Sequence, residues 1–101
     1  MATEPIRKQG ALTLRVEIQG RVQGVGYRWW TLEQATARGL AGWVRNREDG
    51  SVEALFSGEA AAVEEMVEAC RRGPGYARVS FVGAEPAAAP DRDGFHLLST
   101  H

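Results

Sequence analysis

The sequence predicts an α+β fold in which two helices cover one face of an antiparallel sheet. Three observations carry this prediction. Several stretches alternate apolar and polar residues, as half-buried strands do. Another stretch has an apolar stripe at helical spacing. Glycine-rich, proline-containing or Asp-Gly segments separate these stretches. The predicted order is β-α-β-β-α-β, with a short extra strand at the C-terminus.

The first strand and the first helix are predicted within residues 11–38. In ALTLRVEIQ (11–19) the apolar side chains at even positions face one side and the polar ones face the other. GRVQGVG (20–26) has three glycines in seven positions and is predicted to be a loop. Residues 27–38 contain no Gly or Pro and precede Gly39, which predicts a helix.

A hairpin and a second helix come next. LAGWVRN (40–46) and SVEALFS (51–57) flank the turn REDG, whose Asp-Gly pair is a hairpin signal. We expect the second helix to begin at Gly58 and to end at the GPG that starts at Gly73. Its apolar stripe falls at i, i+3, i+4 and i+7: Val63, Met66, Val67 and Cys70.

The remaining segments complete a ferredoxin-like sandwich. ARVSFVGA (77–84) is predicted to be the fourth strand, and FHLLS (95–99) the short last one, with a proline-containing loop between them. In this arrangement the first and second strands are parallel, with the third between them. Both therefore end at the same edge of the sheet. The glycine loop and Asn46 are expected there, about two strand widths or roughly 10 Å apart.

Length and composition limit the class of protein. The chain has 101 residues, of which 44% are hydrophobic and 25% charged, which is typical of one globular domain. We predict a single domain over 11–101, preceded by a flexible polar segment, 1–10. There is no membrane-spanning apolar run and no secretory signal, and Cys70 is the single cysteine. These features predict a cytoplasmic protein, and the chain length favours a monomer.

The charge balance excludes whole-molecule attraction to polyanions. The net charge is −1 and the isoelectric point is near 6.1, so we expect neither nucleic-acid nor membrane binding. Any anion site must be local. One cysteine and two histidines give no metal-ligand spacing, so no metal site is predicted.

A glycine-rich loop that leads into a helix N-terminus can bind an anion. Backbone N–H groups converge there, and the helix dipole adds about half a positive charge. Gly24 and Gly26 permit close approach and positive φ. Arg28 lies in the first helical turn, where a cation is unfavourable unless an anion neutralises it. An ordinary tight loop with a solvated arginine is the alternative, because short glycine motifs are weak signals.

Asn46 is the second candidate for a functional residue. Asparagine often begins a turn and caps its own backbone, which is the structural alternative. The functional interpretation is that its amide faces the loop and orients a water molecule, since an amide can position a nucleophile but cannot act as a base. Alternation predicts that the flanking Arg45 and Arg47 face solvent.

Three segments together resemble one known family. GRVQGVGYR, then GLAGWVRNREDGSVEALFSG after a helix, and finally CRRGPGYARV strongly resemble the acylphosphatase signature. The resemblance runs from Val16 to about Val82. It implies a ferredoxin-like fold and the hydrolysis of acyl phosphates, the mixed anhydrides of carboxylic and phosphoric acids. It also implies no metal, no cofactor and no covalent intermediate.

The resemblance assigns roles to individual residues. Arg28 matches the family's phosphate-binding arginine, and Asn46 matches the asparagine that positions the attacking water. The family's phosphate loop matches Gly20–Gly26, and its backbone amides would hold the phosphoryl oxygens. The predicted loop contacts are Val22, Gln23, Gly24, Val25 and Gly26. The chain departs from the usual pattern at Tyr27, where phenylalanine is commoner, and at Arg38, where leucine is often found.

Two other functions remain open at this level. The same loop could capture a phosphate or acyl phosphate without turnover, as a non-catalytic binding module. RNA-recognition modules share the β-α-β-β-α-β order, but they stack bases on exposed aromatic residues of the sheet. The open-face positions of the first strand hold none: Thr13, Arg15, Glu17 and Gln19.

Overall fold

A computed structural model describes residues 10–101 and contains five strands and two helices. Of the predicted flexible segment, residues 1–9 lie outside the described residues. The carbonyl of Gly10 accepts a hydrogen bond from the Ala60 N–H at 2.9 Å. The elements are β1 (Ala11–Arg21), α1 (Tyr27–Ala37), β2 (Ala41–Asn46), β3 (Val52–Glu59), α2 (Ala60–Arg72), β4 (Arg78–Pro86) and β5 (Phe95–Leu97).

The sheet has the strand order β4-β1-β3-β2-β5, with both helices packed on one face. The four main strands pair antiparallel, and the ferredoxin-like prediction is confirmed. The short last strand differs from the predicted antiparallel sheet because β5 pairs parallel with β2, which makes the sheet mixed. β4 finishes at the end of the sheet at which β2 begins, and the loop after β4 crosses to β5 at that same end, so β5 and β2 run in the same direction. Within residues 10–101, no helix is long and apolar enough to cross a membrane.

The register places Ile18, near the end of β1, and Asn46, the last residue of β2, beside one residue of β3. Val52 pairs with Ile18 of β1 on one side and with Asn46 of β2 on the other. Adjacent strands lie about 4.8 Å apart, so Ile18 and Asn46 are separated by roughly 10 Å. β1 and β2 therefore run toward the same end of the sheet, where the glycine loop and the end of β2 are predicted to meet.

The core lies between the helices and one face of the sheet. Val16 and Ile18 are fully buried, as the alternation in β1 predicts. The α2 stripe is also buried, including Cys70. Burial raises the pKa of the Cys70 thiol to about 12. Val22 adds a fully buried side chain directly after β1, which anchors the start of the loop in the core.

Among the predicted boundaries that differ from the structure, strand pairing explains two. Gly20 and Arg21 belong to β1, not to a loop, because they continue to pair with β4 beyond an irregularity after Gln19. A Cβ on Gly20 would lie 2.1 Å from the Arg78 carbonyl oxygen, so this close approach requires glycine. The second helix begins at Ala60 instead of Gly58, because Gly58 still pairs with Leu12 in the sheet.

Tyr27 links the start of α1 to the end of α2. Its ring is 1% exposed, and its hydroxyl donates a 2.6 Å hydrogen bond to the Cys70 carbonyl. That carbonyl would normally accept from the N–H four residues later, but Pro74 occupies that position and has no N–H. The tyrosine, which stands where the family usually has phenylalanine, therefore satisfies an orphaned buried acceptor.

Replacing Tyr27 with phenylalanine should destabilise the fold. Tyr27→Phe keeps the ring but leaves the Cys70 carbonyl without a donor, and we expect a loss of about 1–2 kcal/mol in the free energy of unfolding. Tyr76→Phe, at a residue that is 83% exposed, is the control and should change it by less than about 0.5 kcal/mol. Urea denaturation measures both. Equal effects of the two substitutions would contradict this role of the hydroxyl.

Candidate active site

The loop between β1 and α1 leads into a helix end that has no side-chain cap. Gly26 is the N-cap residue in the left-handed conformation (φ 83°), and the first helical bond runs from the Trp30 N–H to the Gly26 carbonyl at 3.0 Å. The three N–H groups before it have no acceptor within the helix. The first turn contains no acidic residue and does contain Arg28. This end of α1 is therefore electropositive and suited to an anion.

Gln23 holds the loop against the turn between β2 and β3. Its Nε2 donates to the Arg47 carbonyl at 2.8 Å and to the Ser51 carbonyl at 2.7 Å. On either side of it, Val22 and Val25 pack into or against the core. Gly24, with φ 75°, is exposed and supplies the left-handed bend between them. The predicted phosphate loop is thus fixed to the hairpin that carries Asn46.

Asn46 lies on the helix side of the sheet. It pairs with the fully buried Val52, and side chains opposite each other in an antiparallel pair point to the same face. Its half-buried side-chain amide makes no hydrogen bond to any residue in 10–101. The turn-capping alternative for Asn46 is wrong, because Asp49 has that role and accepts from the Ser51 N–H and hydroxyl at 2.9 and 2.6 Å.

The C-terminal segment, here residues 98–101, contacts the side chain of Arg28 and the backbone of Asn46 at different residues, and Arg28 and Asn46 make no direct hydrogen bond to each other. The Arg28 Nη1 donates to the Leu98 carbonyl at 3.3 Å. The Leu98 N–H donates to the Val44 carbonyl, and the His101 N–H to the Asn46 carbonyl, at 2.9 and 3.0 Å. The segment therefore extends the edge of the sheet beyond β5 and contacts both candidate residues. Sequence reasoning did not assign it any part in the site.

On the face of the sheet opposite the Asn46 side chain, the Glu53 carboxylate binds three arginine side chains. Its carboxylate accepts from Arg45 and Arg47, both at 2.9 Å, and from Arg15 at 3.0 Å. Arg45 also lies with its guanidinium carbon 4.8 Å from the centroid of the Trp43 ring. The two arginines that flank Asn46 are half-buried in ion pairs instead of facing solvent freely, which corrects the prediction.

These contacts determine how Glu53 titrates. Burial alone raises the pKa of a carboxyl group, and Glu53 is only 4% exposed. The hydrogen bonds from Arg45, Arg47 and Arg15 outweigh burial, so the pKa of Glu53 lies below its ordinary value. The carboxylate is charged at neutral pH, and it holds the Arg45 and Arg47 side chains on the face of the sheet that Asn46 does not share.

The family assignment rests on comparison with known proteins. The acylphosphatase family model matches residues 14–97, a span that includes the loop, Arg28 and Asn46. The chain belongs to the acylphosphatase family. A curated acylphosphatase from Rhodospirillum rubrum is 63% identical over 83 residues, covering 82% of this chain and 91% of the relative. Relatives at this identity support acylphosphatase activity, a hydrolase function, for this chain.

Solved acylphosphatase structures share the fold. The acylphosphatase from Coxiella burnetii has 32% sequence identity and a TM-score of 0.84, and the match covers 87% of this chain and 93% of that one. The acylphosphatase from Bacillus subtilis has 36% identity and a TM-score of 0.81, and the match covers 86% and 98%. Within residues 10–101, no three His, Cys, Asp or Glu side chains are grouped so that they could hold a metal ion.

We expect acylphosphatase activity to depend on the two hydrogen bonds of Gln23. Gln23→Glu replaces the donor by a second oxygen, which is repelled by the Arg47 and Ser51 carbonyls and releases the loop. A loss of about 1.4 kcal/mol of transition-state stabilisation would lower kcat/KM for acetyl phosphate about tenfold. Gln19→Glu, at an exposed position of β1, is the matched control and should retain activity. An unchanged kcat/KM in Gln23→Glu would contradict the positioning role.

The lowered pKa of Glu53 predicts how stability varies with pH. A group whose pKa is lower in the folded state stabilises the fold above its unfolded pKa, about 4.3, and loses that contribution as the pH falls through its folded pKa. Wild-type stability should therefore decline below about pH 4. Glu53→Gln should be less stable at pH 7 and should show a shallower decline, measured by urea denaturation between pH 7 and 3. Glu33→Gln, on α1, should keep the wild-type slope.

Proposed function

We propose that this chain hydrolyses the carboxyl–phosphate anhydride of acyl phosphates through Arg28, the loop amides and Asn46. The observation that carries the proposal is the pair of hydrogen bonds made by Gln23. They fix the loop before the uncapped N-terminus of α1 to the turn that directly follows Asn46. An anion held at the helix end would then lie on the same side of the sheet as the free amide of Asn46.

The phosphoryl group would be held by charge and backbone N–H groups. Arg28 uses one Nη1 bond on the Leu98 carbonyl, and a guanidinium has five N–H donors in a fork that matches two phosphoryl oxygens. Each such charge-assisted bond contributes about 1.5–3 kcal/mol. The N–H groups of residues 22–26 and of the first helical turn would hold the other oxygens. Charge on the equatorial oxygens in the loose transition state would be stabilised in this way.

Water attack needs orientation more than it needs a base. The Asn46 amide accepts and donates hydrogen bonds, and it has no partner within residues 10–101, so it can hold one water molecule toward phosphorus. A carboxylate leaves readily because its conjugate acid has a pKa near 4, so no general acid is required. The water would pass its proton to a phosphoryl oxygen of the substrate.

The same chemistry bears on the cofactor requirement of the proposed enzyme. Because the leaving group needs no acid and the phosphate charge is met by Arg28 and amides, we propose an enzyme that uses no metal or other cofactor. We also propose that it acts in the cytoplasm as a monomer and binds no nucleic acid. On the open face, Arg15, Arg45 and Arg47 share Glu53, and Arg15 also pairs with Glu85, so the two carboxylates offset most of the charge that a phosphate backbone would meet.

Alanine substitutions test the two assigned roles. With acetyl phosphate and excess chelator, we expect Arg28→Ala and Asn46→Ala each to lower kcat at least about 100-fold, because each removes a group that acts on the transition state. Arg28→Lys should recover only part of the activity, since it keeps the charge and loses the fork. Circular dichroism and urea denaturation verify that the variants fold.

The controls separate catalysis from binding. Arg92→Ala removes an arginine from the loop before β5, at the other end of the sheet, and should leave hydrolysis unchanged. Near-wild-type rates in both Arg28→Ala and Asn46→Ala would overturn the proposed mechanism. A wild-type protein that binds inorganic phosphate but releases none from acetyl phosphate would instead be the non-catalytic binding module.

A further inference from the structure

The Glu53 carboxylate binds both sequence neighbours of Asn46, and the proposed mechanism gives it no part. The Arg45 Nε and the Arg47 Nη1 donate to the same Glu53 oxygen, Oε1, each at 2.9 Å. Arg15 uses the other oxygen, Oε2, at 3.0 Å. One oxygen atom of a buried carboxylate therefore holds the two side chains that come directly before and after Asn46.

These two contacts fix the direction of the chain on either side of Asn46. Arg45 is the cross-strand partner of Glu53, so its contact lies within the sheet. β2 ends at Asn46, and Arg47 is the first residue after the strand, yet its side chain reaches the same carboxylate oxygen as that of Arg45. Strand alternation is thereby kept one residue beyond the end of β2. The side chain between the two arginines must then point to the helix side.

The Asn46 amide depends on its backbone for orientation. The amide makes no hydrogen bond to any residue in 10–101. The backbone that follows it is joined to the loop, because the Arg47 carbonyl accepts from Gln23 at 2.8 Å. The Arg47 N–H donates to the Ser51 carbonyl at 2.9 Å. Main-chain bonds and the Glu53 contact thus act together at the residue directly after Asn46.

We propose that Glu53 is a positioning residue for Asn46: its carboxylate holds Arg45 and Arg47 on the open face of the sheet and thereby keeps the Asn46 amide directed at the attacking water. This inference rests on the proposed function of Asn46. The link runs through the peptide bonds of three consecutive residues, so Glu53 needs no contact with the substrate. Loss of Glu53 should lower kcat and leave phosphate binding, which uses Arg28 and the loop amides, unaffected.

Removal of the carboxylate tests the positioning role. With acetyl phosphate, we expect Glu53→Ala to lower kcat about tenfold, because a small displacement of a positioned group has a large effect on rate. The inhibition constant of inorganic phosphate should change by less than about twofold. Glu53→Gln keeps an acceptor oxygen but loses the charge, so it should lower kcat about threefold. Glu53→Gln carries the same comparisons if Glu53→Ala does not fold.

Glu85→Ala is the matched control. It removes a carboxylate from the same face of the sheet and changes the net charge by the same amount. Within residues 10–101, Glu85 pairs only with Arg15, which does not flank Asn46. Glu85→Ala should therefore leave kcat unchanged. Urea denaturation verifies that each variant is folded under the assay conditions.

A second substitution separates positioning from a general structural effect. If Glu53 acts through the Asn46 amide, Glu53→Ala should lower kcat by less than about twofold in a chain that already carries Asn46→Ala. The same loss in both backgrounds, an equal loss in Glu85→Ala, or an unchanged kcat in Glu53→Ala would overturn the positioning role alone. Near-wild-type kcat in Asn46→Ala would overturn the proposed function of Asn46, and the positioning role with it.

Discussion

The central position of β3 is the constraint on which the site depends. Because Val52 pairs with both Ile18 and Asn46, β2 ends level with Ile18 of the parallel strand β1, which continues to Arg21 before its loop begins. The Gln23 side chain then hydrogen-bonds the loop after β1 to the turn after β2. Gln23 thereby contacts Arg47 and Ser51, which lie more than twenty positions away in sequence, without a long loop between β1 and α1.

Positive charge is distributed differently on the two faces of the sheet. On the helix side, the uncapped N-terminus of α1 and Arg28 provide unneutralised positive charge. On the other side, Glu53 binds three arginines and keeps two of them, the neighbours of Asn46, away from the amide. In the proposed mechanism, Glu53 would thus limit the positive charge near the water without contacting the substrate, while the charge at the helix end would stay available to the phosphoryl group.

Local patterns in the sequence were enough to predict most of the fold and the candidate residues. Alternation in β1 and the α2 stripe reflect burial on one face, which the side chains record directly. Glu53 could not be recognised, because an acid at an open-face position normally indicates solvent, and its partners come from β1, β2 and the turn. The parallel direction of β5 and the contact of Arg28 with Leu98 depend on long-range pairing that no local pattern encodes.

The burial of Cys70 has a consequence for chemical durability. Alkylation and oxidation of a cysteine proceed through the thiolate and require access, and both are suppressed here because the side chain is fully buried and its pKa is raised to about 12. Cys70 is the only cysteine in the chain. The catalytic groups proposed here are an arginine, an asparagine and backbone amides, none of which is redox-active. Thiol-directed electrophiles and oxidants therefore find no accessible thiol in this hydrolase.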